Sequence, residues 1–139
     1  MDRLTAERRS WNMSRIKGRD TVPEKRVRSL LHRLGFRFSL RTKGLPGRPD
    51  ILLKRYNTAI FVHGCFWHRH ADCKNSVLPK TREDFWLAKL TGNVERDRRN
   101  AASLRRQGWK VLIVWECQVE NESKLSRRLL ATLARAEHD

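Results

Sequence analysis

Within eleven consecutive positions, His63 to Cys73, the sequence places three of its five histidines and two of its three cysteines. Cys65, His70 and Cys73 are separated by four and two intervening residues, close enough to wrap a single ion in a short loop. Cys117, beyond a distant apolar run, can complete a Cys3His set, the ligand combination of closed, structural zinc sites. The rival reading makes Cys117 a small buried core residue; zinc is the reading that gives every cysteine one shared role. His63 and His68 stay outside the set. An imidazole titrates near neutral pH, so His68 suits a general base, although a lone histidine is as often structural. Asp50, after Pro49, is either a turn aspartate or a ligand for Mg2+, which takes one or two carboxylates together with phosphate oxygens and water. Glu24 offers a second acidic contact, direct or through water, and also fits a helix-capping role. Phe66, Trp67 and Trp86 are aromatics in polar surroundings. They can wedge between base steps or simply pack about the metal loop.

The elements that must position these groups follow from local patterns. Thr21 with Glu24 three positions on is a capping box, and Pro23 suits a first helical turn. That helix is expected to run to about Gly35, burying Val27, Leu30, Leu31 and Leu34. Phe36 and Phe38 alternate with polar residues, as in a half-exposed strand. After the breaks at Gly44, Pro46, Gly47 and Pro49, residues 50–54 and 58–62 read as a hairpin turning at Tyr56-Asn57. Antiparallel pairing would bring Asp50 to His63. A charged helical stretch spans 81–106, with an interruption expected at Gly92, and one of Phe85 and Trp86 is expected in the core. Residues 110–115 read as a strong buried strand. A last helix is expected over 123–136. The order αβββ–αβα implies an α/β fold, a mixed sheet flanked by helices.

With 139 residues the chain supports one hydrophobic core, so residues 21–139 are read as a single domain preceded by a basic arm over 1–20. Lysine and arginine number 31 against 15 acids, a net charge of +16. A one-signed excess of that size points to a polyanion, most simply nucleic acid, rather than to a solubilising surface. No run approaches the ~18 apolar residues of a membrane span, and the N-terminus lacks a secretion signal's apolar core. A cytoplasmic location is the expectation, and there cysteines serve metals more readily than disulfides.

The segments Asn12-Met13, TVPEKRVRSLL (21–31), LPGRPD (45–50), IFVHGCFWH (60–68), 85–87, NVERDRR (93–99) and GWKVLIVWEC (108–117) resemble the very-short-patch repair endonucleases, T:G mismatch-specific DNA nucleases of bacteria. The resemblance covers most of residues 11–117 in collinear order. It implies a restriction-endonuclease-like α/β/α fold carrying a structural zinc site. By position it implies Asp50 as the Mg2+-binding aspartate, Glu24 as the helix-borne glutamate and His63 and His68 as the active-site histidines. Cys65, His70, Cys73 and Cys117 match the zinc ligands, and Phe66, Trp67 and Trp86 the intercalating aromatics. Asp97 lies in a family motif and would orient His68. Related restriction enzymes carry Glu-x-Lys where this chain reads Phe61-Val62-His63, which implies a histidine-based site. Val62 stands where some members have threonine, so a Mg2+ contact there would use its backbone carbonyl.

The implied activity is Mg2+-dependent nicking of one strand 5′ to the thymine of a T:G mismatch left by 5-methylcytosine deamination. The implied partner is mismatched double-stranded DNA, with no membrane, a monomer sufficing for one cut and repair-pathway proteins as further partners. The alternatives are a less selective Mg2+-dependent nuclease of the same fold and a non-catalytic zinc-containing DNA-binding protein. The second leaves Asp50, His63 and His68 without a task.

Overall fold

The computed structural model describes residues 20–40 and 44–138, with side chains through 134. The expected arm over 1–20 therefore lies outside the described residues, apart from Asp20. Helix α1 (Val22–Arg33) begins where Thr21 Oγ1 accepts the Glu24 N–H at 3.3 Å, with Pro23 in its first turn. The Glu24 carboxylate reaches back to accept the N–H of Asp20 at 2.8 Å, one residue upstream of a standard capping box. The helix ends in a Schellman motif. Gly35 (φ 95°) donates to the His32 carbonyl at 3.1 Å and Phe36 to the Leu31 carbonyl at 2.9 Å.

Phe36 is thus consumed by the helix end instead of opening a strand, and packs edge-on against Tyr56 with centroids 5.3 Å apart. Strand β1 (Ser39–Leu40) is correspondingly short. Strand β2 (Ile51–Leu53) pairs antiparallel with β3 (Thr58–His63), Ile51 opposite Ile60, through a 3-10 turn at Lys54–Tyr56 and a left-handed Asn57 (φ 50°). Helix α2 (Glu83–Arg106) then crosses over to β4 (Lys110–Trp115), which pairs parallel to β3, His63 opposite Trp115. A four-residue helix α3 (Glu116–Val119), not expected from the sequence, leads into α4 (Glu122–His138). The mixed sheet has the order β1-β2-β3-β4.

Alternation along β3 distributes the core between two faces. Ile60 and Val62 join Val27 and Leu31 of α1 and Leu125, Leu129 and Leu133 of α4 in the larger cluster. Ala59 and Phe61 join Leu52 and Leu104 of α2 in a smaller one. The layering is therefore α/β/α, with a thick core on one face and a thin one under α2.

Two expectations are corrected here. Helix α2 runs through Gly92 without interruption. A single glycine costs about 1 kcal/mol against alanine, and two dozen helical residues absorb that easily. Strand β4 is buried only at Leu112 and Val114, because it forms the edge of the sheet among the described residues. No helix among the described residues is long and apolar enough to cross a membrane.

Candidate active site and metal centre

Asp50 sits immediately before β2, behind a buried Pro49. Carrying the β2–β3 register one residue further sets its side chain beside the Phe61–Val62 peptide. There Asp50 Oδ2 accepts the Val62 N–H at 2.7 Å. Burial pushes the Asp50 carboxyl up to about 7, and the nearby Glu24 carboxylate adds to the rise; the Val62 N–H, His68 and Arg28 oppose it. Glu24 is itself 2% exposed and its carboxyl is raised by burial. Its Oε2 accepts from Arg28 at 3.1 Å, and the same guanidinium grips Asp20 Oδ1 at 2.9 Å. The hairpin expectation holds: the ends carrying Asp50 and His63 meet.

His63 closes β3 and is 5% exposed. Its ring stacks on that of His68, centroids 3.8 Å apart and planes 6° apart, and its Nδ1 has no hydrogen-bond partner among the described residues. Burial, and then the neighbouring His68, lowers His63 to about 4, so it is neutral at physiological pH. His68 is carried by the turn in which its N–H donates to the Gly64 carbonyl at 3.1 Å. Its Nδ1 lies 2.6 Å from Asp97 Oδ2 on α2. A carboxylate can only accept, so Nδ1 carries the proton and Nε2 is left as the basic nitrogen. Asp50, His63, His68 and Asp97 line one cleft of about 340 Å³ on the thin face of the sheet, with Arg48 and Asn100 at its wall.

Beside this cleft, ligand atoms of Cys65, His70, Cys73 and Cys117 all lie within 4.8 Å of one another. His70 Nδ1 is 3.6 Å from Cys65 Sγ and 3.4 Å from Cys117 Sγ. Metal–sulfur and metal–nitrogen bonds of about 2.3 and 2.0 Å at a tetrahedral angle require such separations to be about 3.5 Å. Burial, with the other thiols close by, pushes the Cys65 thiol up to about 12, and burial also raises Cys117. Three thiols and an imidazole packed this tightly suit a cation that would turn the thiols to thiolates.

The aromatic expectation resolves into a cluster. Phe66, Trp67 and Trp86 are half-buried and mutually edge-on, with centroid separations of 5.2, 5.5 and 6.0 Å. Neither Phe85 nor Trp86 belongs to the core, contrary to expectation. Phe85 is 44% exposed beneath the Arg82 guanidinium, because the first turns of α2 project past the sheet and burial starts at Leu90.

Several contributors were not singled out from the sequence. Trp115 stacks on His70 at 4.2 Å and meets His63 edge-on at 5.3 Å, so one indole touches both centres. Glu116 Oε1 accepts the Cys65 N–H at 2.9 Å. Asn93 of α2 donates to the Trp67 carbonyl at 3.0 Å and ties the aromatic loop to that helix. Trp115, Glu116 and Asn93 all sit within segments of the resemblance, the one signal that could have marked them. Arg28 also lies in such a segment (21–31), whereas Asn100 falls just outside one and becomes legible only once α2 is docked.

Residues 1–75 match the family described as DNA mismatch endonuclease Vsr. A type II nicking enzyme of Xanthomonas oryzae is 47% identical over 92% of this chain and 93% of its own length. The DNA mismatch endonuclease Vsr of Escherichia coli is 49% identical over 88% of this chain and 78% of its own. Among solved structures, the catalytic domain of a homing endonuclease superposes with a TM-score of 0.60 at 19% identity, covering 84% of this chain and 98% of that domain. That likeness bears on the fold, which is restriction-endonuclease-like.

Proposed function

The chain belongs to the DNA mismatch endonuclease Vsr family, and from that premise we propose that it nicks one strand of duplex DNA 5′ to the thymine of a T:G mismatch. Deamination of 5-methylcytosine opposite guanine creates that lesion, so the cut would begin very-short-patch repair in the bacterial cytoplasm. Other repair proteins would finish it. A monomer suffices for a single nick. The observation that carries the reading is that Asp50 and the His68–Asp97 pair share one cleft, with the paired Phe66 and Trp67 rings directly preceding His68 in the chain.

In this reading His68 Nε2 takes the proton of a water whose oxygen forms the new bond to phosphorus. The phosphorus–oxygen bond to the departing sugar breaks on the opposite side, and that oxygen is protonated from solvent. Asp97 holds the imidazole in the required tautomer and stabilises the imidazolium that forms. His63, kept neutral, and Glu24, locked by Arg28, would hold the water and the phosphate.

Asp50 and the Val62 carbonyl would hold Mg2+. The donors are hard oxygens, and a bound cation would offset the burial that raises the Asp50 carboxyl. When bound, Mg2+ neutralises charge on the phosphate and the departing oxygen. Cys65, His70, Cys73 and Cys117 would hold Zn2+ in a closed set that shapes the loop and leaves no position open for chemistry. The cluster of Phe66, Trp67 and Trp86 would enter the base stack beside the mismatch.

The test is incubation of matched and T:G duplexes with Mg2+. Selective nicking of the T:G duplex, abolished in Asp50→Ala, is expected. Equal nicking of both would leave a nuclease without mismatch selectivity, and normal cutting by Asp50→Ala would remove the site assignment.

A further inference from the structure

Apart from a bound Mg2+, the side chains of the cleft offer a phosphodiester little positive charge. Asp50 and Asp97 line it, and Glu24 lies within electrostatic reach of Asp50. The two histidines do not make up the deficit: His63 is buried against the His68 ring, and His68 Nδ1 is engaged by the Asp97 carboxylate. Arg28, half-buried on α1, is committed to Asp20 and Glu24. The strand carrying Phe61-Val62-His63 contributes no lysine.

Of the described residues lining the cleft, Arg48 alone carries a permanent positive charge. Its side chain is exposed, and no hydrogen bond or ion pair engages it among the described residues. The backbone that presents it is tightly constrained. Leu45-Pro46-Gly47-Arg48 forms a type II turn, with Arg48 N–H donating to the Leu45 carbonyl at 3.1 Å and Gly47 at φ 75°. Gly47 is seated on Asn100 of α2: a Cβ there would lie 3.0 Å from the Asn100 side chain. Arg48 itself has φ 48°, a conformation that costs a non-glycine residue free energy and that glycine would adopt freely. Pro49, buried, then fixes the chain into Asp50.

A strained arginine two residues before the candidate metal ligand, its side chain unpartnered among the described residues, is poorly explained by the turn alone. We propose that Arg48 binds the non-bridging oxygens of the scissile phosphate. Its guanidinium would occupy the electrostatic role for which the strand offers no lysine, with the planar two-point geometry suited to phosphate. The proposal rests on the nuclease reading above, though not on its mismatch selectivity.

The experiment compares wild type, Arg48→Ala, Arg48→Gly and Arg48→Lys on whichever duplex, matched or T:G, the wild type nicks faster. Loss of mismatch preference would therefore overturn the selectivity reading and leave this comparison intact. Single-turnover rates of Arg48→Ala and Arg48→Gly should both fall about 100-fold or more. Arg48→Lys should retain part of the rate, and added guanidinium ion should speed Arg48→Gly several-fold. Independently of cleavage, log Kd against log salt for uncut duplex should lose a slope of about one in Arg48→Ala. A wild-type rate in Arg48→Gly would assign Arg48 to the turn only and overturn the proposal. So would a loss that neither lysine nor guanidinium partly restores, or an unchanged salt slope.

Discussion

His63 and His68 lie face to face, 3.8 Å between ring centroids and 6° between ring planes. Imidazole lone pairs lie in the ring plane, so two stacked rings cannot both point at one ion, even though His63, His68 and Asp97 bring ligand atoms within 4.8 Å. The arrangement suits the proton transfer proposed for His68 rather than the holding of an ion. One ring is buried and neutral, and the other is held by a carboxylate with its second nitrogen available.

Replacing Asp97 by asparagine should preserve the fold and lose the tautomer control. An amide can donate as well as accept at His68 Nδ1. Turnover is expected to fall by about 10²–10⁴, with affinity for uncut duplex nearly unchanged. Measuring nicking rate and duplex binding side by side checks this, and a parallel loss of binding would assign Asp97 to structure.

Asp50 and His63 pull stability in opposite directions with pH. Asp50 is raised from 3.8 to about 7, so its favourable contribution is full below 3.8 and is lost as pH rises towards 7, worth up to about 4 kcal/mol. His63 is lowered from 6.5 to about 4, so its contribution is full above 6.5 and is lost as pH falls towards 4, worth about 3 kcal/mol. Without divalent metal the two offset one another in acid. Asp50→Asn, which keeps an acceptor for the Val62 N–H, should be more stable than wild type at pH 8 and lose stability more steeply below 6.5. Urea titrations across pH in chelator decide it; parallel curves for the two proteins would contradict the shifts.

Removal of the ion expected at Cys65, His70, Cys73 and Cys117 should be felt in both centres, because Trp115 touches His70 and His63. Metal analysis should give one zinc per chain. Chelation under denaturing conditions should release it and expose three titratable thiols. In the folded protein chelation should lower Tm and change tryptophan emission. Cys117→Ser should reproduce the loss of Tm; an unchanged Tm with zinc absent would make the cluster dispensable.

The half-buried aromatic cluster predicts a separation of activity from selectivity. Phe66→Ala with Trp67→Ala should reduce preference for T:G over matched duplex by ten-fold or more while leaving residual nicking. Trp86→Ala should do so more weakly, since it meets the other two rings edge-on from α2. Unaltered preference in the double variant would return these rings to a packing role.

Gly47→Ala should be costly for two separable reasons. Its φ of 75° disfavours any Cβ, and Asn100 stands 3.0 Å from where that Cβ would be. A loss of about 1–3 kcal/mol is expected. Adding Asn100→Gly should recover the steric part and leave the backbone part, which thermal melts of the single and double variants resolve.

Much of this arrangement was legible in the sequence because its signals are local. Thr21, Glu24 and Pro23 announce α1, the Asn57 turn fixes the hairpin, and the hairpin alone carries Asp50 to Val62. The Cys–His spacings likewise belong to one short loop. What stayed hidden depends on docking. Gly35 marks the helix end, but that Phe36 is drawn into it rather than into a strand depends on its packing against Tyr56, and the edge position of β4 follows from the absence of a further described strand beside it. Arg28 and Asn100 are ordinary helix residues until α1 and α2 are laid against the sheet.

The Cys–His cluster sits at the open ends of two parallel strands whose pairing is non-local, with His70 and Cys117 separated by 47 positions. Parallel pairing across a long crossover forms slowly, because loop closure precedes any reward. A slip of one residue between β3 and β4 would shift the end of β4 by about 3.3 Å, invert its facing and carry Cys117, at the start of α3, out of place with it. Only the native register would then collect four ligands. An ion captured there would act as a proofreader of strand alignment during assembly, accepting one pairing and releasing the others.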